Sequence, residues 1–317
     1  MRTELNPSIE PYPMSSNHSP SVLPSLSLLL AATLWGVSWY PIRWLEQNGL
    51  PGLWSSLVMY TAVLVISLPW LWRGRVELLK HPGLLLALAL SAGWCNVAFI
   101  LAIIDGNVVR VLLLFYLSPL WTVLLGRLLL GERVLAKAWI TIGLAMVGAL
   151  IMLWQPTRGT SLNLETFVLG RADWLAISSG FMFALSNVLV RKGRHIPIPV
   201  KTVVVWWGGV FLAGMWIVLT AAPLPEFRVE VVALAATLGG FSIVIMTLAV
   251  QYGVTHMPVH RSAVILLFEL VAGAVSSQML SDEIMLPTEW LGGLLIIAAA
   301  YLSASGNQDA NKRNAVG

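Results

Sequence analysis

The chain has 317 residues, of which 57% are hydrophobic and only 11% are charged. Soluble domains carry about 25% charged residues, so an ordinary water-soluble enzyme, a disordered chain and a nucleic-acid-binding domain are excluded as readings. The net charge of +4 and a mean hydropathy of +0.80 point instead to a polytopic membrane protein whose basic residues record orientation.

Residues 1–22 hold Pro7, Pro11, Pro13 and Pro20 and lack the charged-apolar-small order of a signal peptide; they read as a disordered cytoplasmic N-tail. Apolar runs then predict ten spans: 23–45, 53–72, 82–104, 108–129, 136–154, 172–190, 200–221, 231–253, 260–280 and 287–305. Each is near the roughly 20 residues a span needs. None alternates as a barrel strand would. In lipid every backbone group must bond within its own segment, so the runs are expected to be helices. Residues 306–317 read as a cytoplasmic C-tail. Cys95 is the one cysteine, so no intrachain disulfide is possible.

With the N-terminus placed inside, fourteen of the nineteen basic residues fall on the cytoplasmic side and five on the other. A missed span would scramble that asymmetry, so it supports ten spans with both termini inside. The chain also repeats itself. Arg110 and Arg261, Glu132 and Glu283, and Trp139 and Trp290 match at an offset of 151. Nearer the start of each half the offset is 148, as in Ser38 with Ser186, Arg43 with Arg191 and Pro51 with Pro199; a length change in the loops is the expected reason. Each repeat, 23–155 and 171–305, holds five spans. Five is odd, so the halves are inverted. The expected fold is an all-α membrane protein of ten helices in two inverted five-helix repeats, an architecture tied to secondary transport.

Three stretches carry a family resemblance: "LWGVSWYPIRW" (Leu34–Trp44), "LLLFYLSPLWTVLLGRLLLGERV" (Leu112–Val134) and "GLAMVGALIM" (Gly143–Met152). The second half echoes them in "LLFELVAGAVSSQMLSDEI" (Leu266–Ile284) and "WLGGLLIIAAAYL" (Trp290–Leu302). The chain resembles the EamA branch of the drug/metabolite transporter superfamily over about 23–305. The resemblance implies a central cavity for amino acids, metabolites or drugs, often exported. One departure concerns helix nine. Where the family often has Glu-Pro, this chain has Glu269-Leu270, so no proline forces a kink there.

Glu269 is the most informative side chain, mid-span with no basic residue within four positions. A carboxylate in the bilayer costs ~2.5–3.5 kcal/mol, so it faces a cavity or a partner. The position suits substrate-amine binding or proton coupling; the plainer role is to tie helix nine to a neighbour. Arg110 and Arg261 begin helices four and nine. They either snorkel to the interface or form gating pairs, Arg261 with Glu132 and Arg110 with Glu283 or Asp105. Ser38, Asn96, Ser118, Ser186, Asn187 and Ser242 are polar groups on apolar helices. Such groups serve as helix glue or as the lining of one polar pocket. Trp35, Trp39, Trp94, Trp121 and Tyr116 are candidate aromatic walls for an apolar substrate. Pro41 and Pro119 are expected kinks.

The expected function is therefore secondary active transport of small metabolites, amino acids or related apolar compounds, across the bacterial inner membrane, with export favoured. The expected partners are a small molecule and the lipid bilayer, with proton coupling compatible and the chain a monomer or homodimer. No cofactor is expected. The competing readings are a membrane-embedded transferase or hydrolase and a non-transporting partner subunit. His256 and His260 stand at i, i+4 without a third ligand nearby, and no P-loop occurs.

Overall fold

A computed structural model describes residues 22–106, 108–132, 134, 136–153, 169–280 and 286–314. The expected N-tail and the gating candidate Glu283 lie outside these residues. Among them there are fourteen α-helices and no strand. In the first half these are α1 (Leu23–Val37), α2 (Trp39–Gln47), α3 (Gly52–Lys80), α4 (Pro82–Asp105), α5 (Val108–Phe115), α6 (Ser118–Leu130) and α7 (Ala136–Leu153). In the second they are α8 (Arg171–Lys192), α9 (Ile198–Leu219), α10 (Val229–Leu238), α11 (Val244–His256), α12 (Val259–Leu266), α13 (Phe268–Leu280) and α14 (Pro287–Asn314). A π-helical turn, Gly239–Ile243, joins α10 to α11.

Eight stretches are long and apolar enough to cross a membrane, among them Leu23–Gln47, Val111–Leu130, Val229–His256 and Val259–Leu280. The apolar part of α7, Ala138–Leu153, is shorter, and the side chains of α14 are described only to Ser303. Two helices differ from the sequence-based boundaries. The helix α3 runs on to Lys80, so Arg73, Arg75 and Lys80 are helical and not in a loop. The change of repeat offset falls inside a helix and not in loops. Val229–His256 has 28 residues where Pro82–Asp105 has 24, and a π turn takes up one extra residue.

Small residues set the closest crossings. A Cβ on Gly93 of α4 would run into Gly208 of α9, so these backbones touch. Gly148 of α7 and Gly292 of α14 do the same; a Cβ on Gly148 would lie 2.8 Å from the Gly292 carbonyl. Two pairings between the halves are reciprocal. As α4 packs on α8, so α11 packs on α1; as α6 packs on α8, so α13 packs on α1.

Candidate transport site

Two membrane-crossing stretches are broken mid-way, and their breaks meet. The first ends α5 at Phe115 and restarts as α6 at Ser118. Pro119 explains the position: its ring excludes the hydrogen bond to the carbonyl four residues back, which is that of Phe115. The freed carbonyl is approached by Gly180 of α8, where a Cβ would sit 2.5 Å from the Phe115 oxygen. The same logic ends α1 at Val37, four residues before Pro41, and the Ser38 hydroxyl there donates to the Trp35 carbonyl at 2.7 Å.

The second break separates α12 from α13 at Leu267 and needs no proline. The turn tightens instead, with Leu267 N donating to Val264 O at 3.2 Å and Leu270 N to Leu267 O at 3.1 Å. Glu269 stands in the first turn of α13. It lies about 15 Å along the helix from Val259 and about 17 Å from Leu280, at 1.5 Å per residue. It is therefore mid-depth in its stretch. Its carboxyl meets the Tyr116 hydroxyl, which comes from the other break. Tyr116 and Leu267 are 151 residues apart, the offset of the sequence repeat.

The surroundings are apolar and aromatic. Phe115 contacts Phe99 of α4 at 4.9 Å, Tyr116 at 5.3 Å and Phe183 of α8 at 5.6 Å between ring centroids. Cys95 belongs to the same cluster, and its backbone carbonyl accepts from Ser179 Oγ at 2.7 Å. The aromatic rings packed beside Tyr116 are thus phenylalanines, which carry no distinguishing mark in the sequence. Glu269 and Cys95 are only half-buried despite this depth, so the cluster is not sealed.

The other candidates scatter. Trp94 points away toward α8 and α9, donating to Ser178 Oγ at 3.2 Å and stacking edge-on against Trp216. Trp35 packs against the Leu45 and Met59 cluster. Ser186 is half-buried and Asn187 buried on α8, and Ser242 sits half-buried in the π turn. Asn96 Oδ1 is buried without a hydrogen-bond partner among the described residues. Trp39 Nε1 donates to Ser276 Oγ at 2.9 Å and pins α2 to α13.

A charged cluster lies at one end. The helix α6 stops at Gly131, in left-handed conformation (φ 67°), and Glu132 N donates back to Gly126 O. That turn carries the Glu132 carboxylate to Arg191 Nε at 3.4 Å, the Val259 amide at 3.1 Å and His260 Nδ1 at 3.9 Å. Arg191 also donates to Thr255 O at 2.6 Å. Lys201, fully buried, donates to Thr255 Oγ1 at 2.7 Å and to Val190 O at 3.1 Å. The cluster ties together α6, α8, α9, α11 and α12. Arg191 and Lys201 read as ordinary loop charges in the sequence. Arg261 is half-buried in the first turn of α12, and Ser303 Oγ lies 3.4 Å from its carbonyl. Arg110 lies on α5, with its side chain outside the described residues. At the opposite end a cleft of about 220 Å³ opens among Trp39, Tyr40, Arg43, Trp44, Gln47 and Leu280. Among the described residues no three His, Cys, Asp or Glu side chains gather to hold a metal.

Residues 23–154 match the EamA-like transporter family. Over those residues the chain is similar to transporters of the drug/metabolite superfamily. Among its relatives is protein RarD of Salmonella typhi, 31% identical over 173 residues, which is 54% of this chain and 50% of RarD. The chain spans about half the length of the RarD relatives it matches. A probable amino-acid metabolite efflux pump of Escherichia coli K12 is 23% identical over 296 residues, covering 88% of this chain and 93% of the pump. One solved crystal structure superposes with a TM-score of 0.71 at 15% identity, over 90% of this chain and 98% of that one, and shows the fold alone. With eight stretches long and apolar enough to cross a membrane and this likeness to transporters, the chain is a multi-pass membrane protein.

Proposed function

We propose that the protein is a secondary active transporter of small metabolites, amino acids or related apolar compounds, working by alternating access in the bacterial inner membrane, with export favoured. The observation that carries this reading is the meeting of Tyr116 and Glu269 where two broken helices cross mid-depth. Discontinuous helices at the midplane are where transporters hold substrate and coupling ion. A phenylalanine wall beside one carboxyl suits an ammonium group attached to an apolar body. The efflux-pump relative supports the substrate class.

The reading includes ten spans in two inverted repeats with both termini cytoplasmic. The reciprocal helix pairings and the break-to-break offset support the repeat. It also makes Glu132 and Arg191 the pair that holds the cytoplasmic side shut, while the cleft at Trp39 and Arg43 lies toward the opposite face.

The test is counterflow in proteoliposomes against a panel of amino acids and apolar amines, with and without a proton gradient. The expected result is exchange of at least one amine-bearing apolar substrate by the unaltered protein, with Glu269→Gln losing the response to the gradient. Undiminished, equally pH-dependent transport by Glu269→Gln would remove Glu269 from the mechanism.

A further inference from the structure

The helices α4 and α9 run parallel, because they touch mid-way at Gly93 and Gly208 and their N-terminal ends also meet, with the rings of His81, just before Pro82, and His195, three residues before Ile198, in contact. Both therefore begin at one level. The turn after α8 rests on that level: a Cβ on Gly193 would touch Leu84 at 3.3 Å, and the His81 and His195 rings meet edge-on at 4.8 Å. Lys80, Lys192 and Arg194 are exposed around this rim. One carboxylate, Glu77, stands among them, 2.7 Å from Lys80 Nζ. The hydrogen bond from Lys80, with His81 and His195 adding to it, holds the Glu77 carboxyl below the usual range.

From the rim an apolar groove of about 360 Å³ leads along the membrane face of α4 and α9. It starts between Leu78 and Pro82 and ends at Ala89, Val204 and Trp207. Pro82 to Ala89 is about 10 Å of helix, enough to take the upper part of one acyl chain. Trp207 and Leu86 are exposed, so the groove opens sideways toward lipid.

We propose that this groove and its basic rim form a binding site for an anionic phospholipid of the surrounding leaflet, with its phosphodiester at Lys80 and Arg194 and one acyl chain between Leu78 and Trp207. Charge chooses the headgroup. A zwitterionic lipid carries its own ammonium, which gains nothing from Lys80, Lys192 and Arg194. A headgroup of the phosphatidylglycerol type brings negative charge alone. Basic pockets between helices at the membrane surface recognise such lipids. The site is independent of the transport reading and needs only the bilayer.

The test uses the full chain purified in detergent and native mass spectrometry against equal amounts of phosphatidylglycerol and phosphatidylcholine with identical chains. The unaltered protein is expected to retain phosphatidylglycerol in preference. Lys80→Gln with Arg194→Gln should lower that ratio by about fivefold per charge removed. Glu77→Gln should raise it, which a merely structural Lys80–Glu77 pair would not do. Ala89→Phe fills the groove and should lower phosphatidylglycerol retention with the rim intact. Arg171→Gln, at the far end of α8 from Lys192, and Arg228→Gln, in the connection that follows the far end of α9, should leave the ratio unchanged. Equal retention of the two lipids by the unaltered protein would overturn the proposal, as would a ratio that ignores both the rim pair and Glu77→Gln.

Discussion

The two broken stretches reach the same shape by different means. In the first, Pro119 removes a hydrogen bond and α5 must end at Phe115. In the second, nothing in the local sequence forbids a continuous helix, yet α12 stops at Leu266. The difference teaches that packing can hold a break that proline merely makes inexpensive. Gly36 of α1 is pressed against the second break, where its Cβ would meet the Glu269 carbonyl at 2.6 Å. Gly180 of α8 is pressed against the first. A close-fitting neighbouring helix is common to both breaks, whereas the proline is found at only one.

The sharpest way to separate the two breaks is chemical. Glu269→Gln should abolish coupling between proton gradient and substrate, a change of roughly 5–150-fold in gradient-dependent affinity, read in proteoliposomes. The variant should keep its melting temperature, since Gln can still bond Tyr116. Next in size, Gly180→Val should destabilise the fold by about 1–3 kcal/mol through overpacking against the Phe115 carbonyl. A melting temperature unchanged by that variant would show that the first break does not depend on α8.

Arg191→Gln removes one partner of Glu132. It should raise the rate at which an impermeant reagent alkylates Cys95 from the Arg191 side by about tenfold, in line with a charged hydrogen bond. The native thiol is the sole target, because the chain has one cysteine. Tyr116→Phe removes one hydrogen bond at the crossing of the breaks and should weaken apparent substrate affinity by about fivefold. The smallest effect belongs to Pro119→Ala. If packing holds both breaks, it should change stability by less than about 1 kcal/mol, measured by thermal unfolding, and leave transport near normal.

Much of the architecture was legible in the chain because apolar length and charge placement are one-dimensional signals. Glu269 stood out for the same reason: a lone acid in an apolar run is visible without knowing its neighbours. The phenylalanine wall was not visible, because Phe99, Phe115 and Phe183 come from three helices and look like ordinary lipid-facing residues until those helices pack. The tryptophans drew attention by their number, yet Trp94 turns toward Trp216 and away from the crossing. Arg191 and Lys201 were hidden by their proximity to a loop. Lys201 is in the first turn of α9, and only the packing of α8 and α11 over it makes it fully buried. The break at Leu267 carried no sequence mark, since a turn tightened by contacts uses ordinary residues.

The π turn at Gly239–Ile243 governs which way α11 faces. One extra residue in an α-helix swings every later side chain by about 100° around the axis, and the wide turn absorbs that swing. Downstream, Thr247 accepts from Trp206 Nε1 at 3.2 Å and Thr255 accepts from Lys201. Their alignment with α9 is thus written into a local change of pitch. Within those five residues Gly239 is fixed by packing, since a Cβ there would run into the Met59 backbone of α3. Deleting a single one of them would rotate the whole polar stripe of α11 away from its partners, so this short segment is governed by the number of its residues as much as by the glycine it begins with.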